Sequence, residues 1–94
     1  PVAVATGGAR RQVGPAIAAA GLEGFFDAVV TADDVAHGKP HPETFLKAAA
    51  AIGVAPELCV GYEDAQLGMA AIRAAGYLLA VDVTAMAGYP ALIE

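Results

Sequence analysis

The 94-residue sequence predicts an α/β domain built on a parallel sheet, and three observations carry that expectation. Short apolar runs of Val, Leu and Ala alternate with helical stretches of about ten residues. The runs are apolar throughout instead of alternating with polar residues, as in strands covered on both faces. Strand–helix–strand connections of this kind make right-handed crossovers, and so a Rossmann-like three-layer core.

Val2 to Thr6 reads as the first strand, closed by Gly7-Gly8. Residues 9–20 carry Val13, Ile17 and Ala20 at helical spacing, and Gly21 marks the stop. Pro15 interrupts that helix and suits a first turn after Gly14, which leaves the helix start open. Phe25 to Thr31 contains Ala28-Val29-Val30, a short buried strand. Pro42-Glu43 opens a helix that runs through Ile52 and ends at Gly53. A strand over Leu58 to Tyr62, a helix over Ala65 to Ala75 with Gly76 as its stop, and a strand over Leu78 to Val83 complete the series. Residues 85–94, with Gly88 and Pro90, read as a loose end or short terminal turn, so one domain covers 1–94.

Composition narrows the class. The chain is 57% hydrophobic, but much of that is alanine, which buries little area, so the core falls to Val, Ile, Leu and Phe. Charged residues interrupt the helical stretches, and no apolar run is long enough to span a bilayer. A net charge of −5 without a Lys/Arg stripe excludes a nucleic-acid partner, because the counterion-release term is missing. The single cysteine, Cys59, lies in an apolar run and reads as a buried thiol in a reducing cytoplasm. The sequence opens within an apolar β-like run, Pro1-Val2-Ala3-Val4-Ala5, without an initiating Met; the expectation is a piece of a longer protein.

In an open parallel sheet, ligands bind at the carboxyl ends of the strands. The first strand ends in Thr6-Gly7-Gly8, a hydroxyl and two unobstructed amides that suit a phosphate oxygen or, more simply, a capped turn. Lys39 lies between Gly38 and Pro40 in the loop His37-Gly38-Lys39-Pro40-His41-Pro42-Glu43, where prolines on both sides of His41 pre-set an extended path. A lysine so constrained can neutralise a transferring phosphoryl group. His37 and His41 have no Cys or carboxylate at ligand spacing, so no zinc site is expected there. Glu63-Asp64 follow the strand over Leu58–Tyr62; Asp64 also suits the start of the next helix, where it complements the macrodipole. A hydroxyl-and-amide cradle, a fixed cation and an acid pair are together the parts of Mg²⁺-dependent phosphoryl transfer.

The order Val-Ala-Thr-Gly-Gly, then Gly-Lys-Pro-His-Pro-Glu-Thr-Phe, then Tyr-Glu-Asp-Ala-Gln-Leu-Gly-Met-Ala-Ala-Ile-Arg-Ala-Ala-Gly resembles motifs two, three and four of the haloacid dehalogenase superfamily. Within it the likeness is to the β-phosphoglucomutase-like branch. Phe26 to Val30, Asp33-Asp34-Val35 and Ala80 to Val83 look like the fructose-1-phosphate/6-phosphogluconate phosphatases. The resemblance covers roughly residues 2–83.

It implies that Thr6, with the Gly7 amide, binds the transferring phosphoryl group. Lys39 would bridge that group and the nucleophile, and Glu63 and Asp64 would hold Mg²⁺. Gly68 and Ala70-Ala71 would let their helix pack closely on the sheet. The implied substrate is a small phosphorylated metabolite, a sugar phosphate, and the implied reaction is a phosphatase working through an aspartyl-phosphate. The alternatives are a β-phosphoglucomutase-type mutase and a non-catalytic α/β binding domain. The family's motif-one strand, with its nucleophilic Asp and acid/base Asp, and the helical cap have no counterpart in this sequence. The expected core is therefore incomplete, with a gap one strand wide between the strands over Val2–Thr6 and Leu58–Tyr62. The missing N-terminal half of the same chain is the expected partner, and the 94 residues alone are expected to be inactive.

Overall fold

A computed structural model describes residues 1–88. Four short strands form two parallel pairs. β1 (Ala3–Ala5) pairs with β2 (Ala28–Val30), and β3 (Val60–Glu63) pairs with β4 (Leu79–Asp82). The registers are Ala3↔Ala28 to Ala5↔Val30 and Val60↔Leu79 to Glu63↔Asp82. Single bonds lengthen the first pair at both ends: the Thr6 amide donates to the Val30 carbonyl at 2.9 Å and the Asp27 amide to the Val2 carbonyl at 2.8 Å.

Three helices connect the strands: α1 (Arg10–Ala19), α2 (Glu43–Ala51) and α3 (Gln66–Ala74). They end as the sequence marks. Gly21, Gly53 and Gly76 take positive φ (74°, 70° and 78°), a conformation that costs glycine nothing and lets the next amides turn back onto the last carbonyls. The start of α1, which Pro15 left open in the sequence, does not lie at the proline. The helix begins five residues earlier at Arg10, with Pro15 inside it. Its first amide is held from outside, because the Arg10 N–H donates to Asp33 Oδ2 at 2.8 Å. That bond fixes the start ahead of the proline, which forfeits one backbone bond in a helix without buried residues.

β3 also starts later than the expected strand over Leu58–Tyr62. Pro56 opens a 3₁₀ turn (Pro56–Leu58), the Cys59 amide closes it on the Pro56 carbonyl at 2.9 Å, and Glu63 is drawn into the strand. The Val83–Ala85 3₁₀ turn follows β4; the rest of the expected terminal stretch from residue 89 onward lies outside the described residues. Among the described residues, no helix is long and apolar enough to cross a membrane.

α2 packs on β1 and β2, α3 packs on β3 and β4, and the two helices touch each other. Phe45 of α2 meets Ala71, Ile72 and Ala75 of the α3 segment, with Ala5, Tyr77 and Ala80 against them. Tyr77 crosses this seam: its ring stands edge-on to Phe45 at 5.7 Å and its hydroxyl donates to the Phe45 carbonyl at 2.6 Å. Burial, together with Cys59 nearby, pushes the Tyr77 phenol up to about 12. Cys59 is itself buried, its thiol directed at the Ala55 carbonyl.

β1 and β3 do not pair. A cleft of about 400 Å³ is lined by Ala3 and Ala5 on one side, Val60 and Tyr62 on the other, and Phe45 and Ala48 from α2. On β3 the side chains alternate, so Val60 and Tyr62 are exposed while Gly61 is buried against Ile72.

A Cβ at Gly61 would lie 2.7–3.0 Å from Ile72 side-chain atoms, and Ile72 is fully buried. Gly61→Ala is therefore expected to destabilise the fold by about 1–3 kcal/mol, read from urea unfolding, as an overpacked core does.

Candidate active site

The carboxyl ends of β1 and β3 are joined by one side chain. Lys39 Nζ donates to Glu63 Oε2 at 2.8 Å and to the Ala5 carbonyl at 3.1 Å, so it touches the last residue of each strand. The two charged side chains are only 18% and 12% exposed, which separates this pair from ordinary surface ion pairs. The Lys39 ammonium also lies 5.0 Å from the centre of the Phe45 ring, an added cation–π contact. The solvated surface lysine is thus not what the fold builds.

The loop that delivers Lys39 is folded, not extended as the flanking prolines suggested. The His41 amide closes a turn on the Gly38 carbonyl at 3.0 Å, and the Lys39–Pro40 peptide is cis. The loop winds around the Glu43 carboxylate, which accepts from the Ala36 amide at 3.0 Å and the His37 amide at 3.0 Å, with Lys47 Nζ at 3.4 Å. The Ala36 amide foremost, with the His37 amide and Lys47, outweighs burial and holds the Glu43 carboxyl down at about 2. Sequence reasoning missed this anchor; the signal was an acid two residues beyond His41 at the head of a helix.

Glu63 points to the α3 side of β3, the side on which Gly61 meets Ile72. There it lies over Gly68. A Cβ on Gly68 would fall 2.1–2.2 Å from Glu63 Cδ, Cγ and Oε2. The resemblance assigns Gly68 to close helix–sheet packing, and the group it makes room for is the side chain of a strand residue, the Glu63 carboxylate. Burial pushes the Glu63 carboxyl up, but Lys39 and the Asp64 amide, which donates to Oε1 at 3.1 Å, bring it below its ordinary range. Asp64 is exposed and stands one residue ahead of Ala65, the capping residue of α3.

Thr6 stands one residue past Ala5, hence beside Lys39. Its Oγ1 accepts from the Gly8 amide at 3.0 Å and so shapes the Thr6-Gly7-Gly8 turn, while Gly7 is exposed with open space at its Cα. Thr6, Gly7, Lys39, Glu63 and Asp64 therefore all follow, or are tied to, the carboxyl ends of β1 and β3, at one edge of the cleft. The two histidines depart from expectation. His37, His41 and Glu43 offer ligand atoms that all lie within 4.8 Å of one another, so a carboxylate does stand at ligand spacing.

Comparison with known proteins adds a family to this geometry. The family described as haloacid dehalogenase-like hydrolase matches residues 1–76. The chain belongs to the haloacid dehalogenase-like hydrolases. It is 51% identical over 83 residues to the fructose-1-phosphate phosphatase YqaB of Escherichia coli, covering 88% of this chain and 44% of that protein. It is 36% identical over 94 residues to the validoxylamine A 7'-phosphate phosphatase of Streptomyces hygroscopicus subsp. limoneus, covering all of this chain and 44% of that one. Among solved structures, CbbY from Rhodobacter sphaeroides in complex with phosphate superposes with a TM-score of 0.77 at 33% identity, over 84% of this chain and 36% of the other. This haloacid dehalogenase-like chain thus spans less than half the length of these relatives.

Two measurements test the Lys39–Glu63 geometry. Gly68→Ala is expected to push Glu63 off Lys39, so that the Glu63 carboxyl, followed by ¹³C NMR, titrates at higher pH than in the wild type. Because the Glu63 pKa is lowered on folding, its contribution to stability is present above the ordinary value of 4.5 and is lost as pH falls through the folded value. Lys39→Met is expected to flatten that acid-side loss in unfolding curves taken between pH 6 and pH 3.

Proposed function

We propose that this chain is the C-terminal part of a Mg²⁺-dependent, cytoplasmic sugar-phosphate phosphatase that works through an aspartyl-phosphate. The nucleophilic aspartate comes from the N-terminal half of the same protein. The observation that carries the reading is the Lys39 bridge from the Ala5 carbonyl to Glu63 across the edge of the cleft. It holds an ammonium between two strand ends, where a strand in the cleft would deliver its last residues.

In this reading the Thr6 hydroxyl and the Gly7 amide bind oxygens of the transferring phosphoryl group. Lys39 offsets charge on that group and on the attacking carboxylate as the aspartate–phosphorus bond forms and the phosphorus–oxygen bond to the sugar breaks. The departing sugar oxygen takes a proton from the acid/base aspartate that the N-terminal half would also supply. Water then attacks phosphorus and releases phosphate and the aspartate. Glu63 and Asp64 would hold the metal. The donor set fits, since adjacent carboxylate oxygens suit Mg²⁺, which keeps most of its waters and takes few protein ligands. Glu63 Oε2 also accepts from Lys39 and its Oε1 from the Asp64 amide, so these bonds orient one of the two carboxylates that would ligate the metal. When bound, Mg²⁺ supplies electrostatic stabilisation of the phosphoryl oxygens.

The phosphatase names of the relatives favour hydrolysis over mutase chemistry, and they favour a small sugar-like phosphate as substrate. The cleft supports the N-terminal partner: both of its walls are strand edges, its lining is largely apolar, and strand edges are completed by another strand.

The purified chain alone is expected to show no turnover of fructose 1-phosphate with Mg²⁺. Co-expression with the upstream segment carrying the aspartate is expected to restore it. In that complex Lys39→Met is expected to lower kcat by about 100- to 1,000-fold. Turnover by the chain alone, or a Lys39→Met complex as active as the parent, would overturn the proposal.

A further inference from the structure

The loop that carries Lys39 holds a second group of ligating side chains on its outer surface. The rings of His37 and His41 stack at 4.7 Å with 24° between their planes, and both side chains belong to exposed residues. His37 Nδ1 stands 3.3 Å from Glu43 Oε1, and all three donors lie within 4.8 Å of one another. The carboxylate is fixed in place by the Ala36 and His37 amides, so one member of the set is pre-organised by the backbone. Of the chain's two histidines, both are in this group.

We propose that His37, His41 and Glu43 form a surface site for a borderline divalent cation such as Zn²⁺, separate from the acid pair Glu63-Asp64. Two imidazoles and one carboxylate are a donor set that selects Zn²⁺ over Mg²⁺, which prefers oxygen ligands throughout. Three protein ligands leave further positions to water. Binding competes with three existing contacts, of which the first is that between His37 Nδ1 and Glu43 Oε1 at 3.3 Å. His41 Nδ1 now accepts the Glu43 amide at 3.1 Å and gives that bond up to the metal, and Lys47 Nζ, 3.4 Å from Glu43 Oε2, yields to the cation's charge. These exchanges make the site one of moderate affinity. Its ligands flank Lys39 on both sides in sequence, so the ion clamps the loop that sets the ammonium between β1 and β3. That is a means by which Zn²⁺ would act on the neighbouring site without entering it.

The test titrates the purified chain with Zn²⁺ in the presence of excess Mg²⁺, by calorimetry and by NMR of the two histidine rings. One Zn²⁺ per chain is expected, with both ring signals shifting together. His37→Ala and His41→Ala are each expected to weaken binding at least about 10-fold, since loss of even an outer partner of a metal ligand costs that much. The double variant should lose binding, and Asp64→Asn should leave it unchanged. Both histidines are exposed, so these variants keep the fold, which circular dichroism checks. Zn²⁺ binding that survives in the double variant, that Mg²⁺ displaces, or that leaves the histidine signals unmoved overturns the proposal. Because the readout is Zn²⁺ binding and the Asp64→Asn arm is separate, the outcome does not depend on the phosphatase reading.

Discussion

The ammonium of Lys39 is the contact through which the two strand pairs meet at their carboxyl ends. It satisfies the Ala5 carbonyl at the end of β1 and the Glu63 carboxylate at the end of β3, strands that share no backbone bond. The pair is largely shielded from water, so losing either partner would strand a charge that the fold has already desolvated. Much of the local architecture serves this contact. The Gly38–His41 turn and the Glu43 anchor aim the lysine, Phe45 lies under its ammonium, and the bare Cα of Gly68 gives Glu63 room to reach it.

Away from that edge the halves are joined by helices instead of strands. α2 covers β1 and β2, α3 covers β3 and β4, and the Phe45–Tyr77–Ile72 seam welds the helices together. A sheet split in this way relies on side-chain packing where backbone bonds would ordinarily run across it. That accords with the small residues at the seam: Ala71 and Ala75 are buried, with Ala5 and Ala80 packed against them, and they allow close approach of helices and strands. The alanine richness that made the composition look weak as a core is what lets two thin layers lock together.

The family assignment and the geometry support each other without being the same statement. Membership rests on the match over residues 1–76, while the arrangement of Lys39, Glu63 and the Thr6 turn comes from how those residues fold. The match to relatives covers under half of their length, and within this chain β1 and β3 flank a cleft without pairing. The outer face of the same loop, with its stacked histidines, belongs to no part of that reading and offers a different chemistry.

Local sequence determined the alternation of strand and helix, the three glycine stops, and the set of polar residues that follow strands, because these depend on neighbours within a turn or two of chain. Thr6, Lys39, Glu63 and Asp64 could be named for that reason. Tertiary structure alone decided where α1 begins, since Asp33, 23 residues away, holds its first amide and overrides the proline. It decided that Glu63 faces α3 and that Gly68 is bare for its sake, because which face of a strand a helix covers depends on how separate segments pack. It also decided that Glu43 is the hub of the Lys39 loop and stands beside two histidines. Hydrogen bonds to backbone amides assemble that group, and neither spacing nor composition records them.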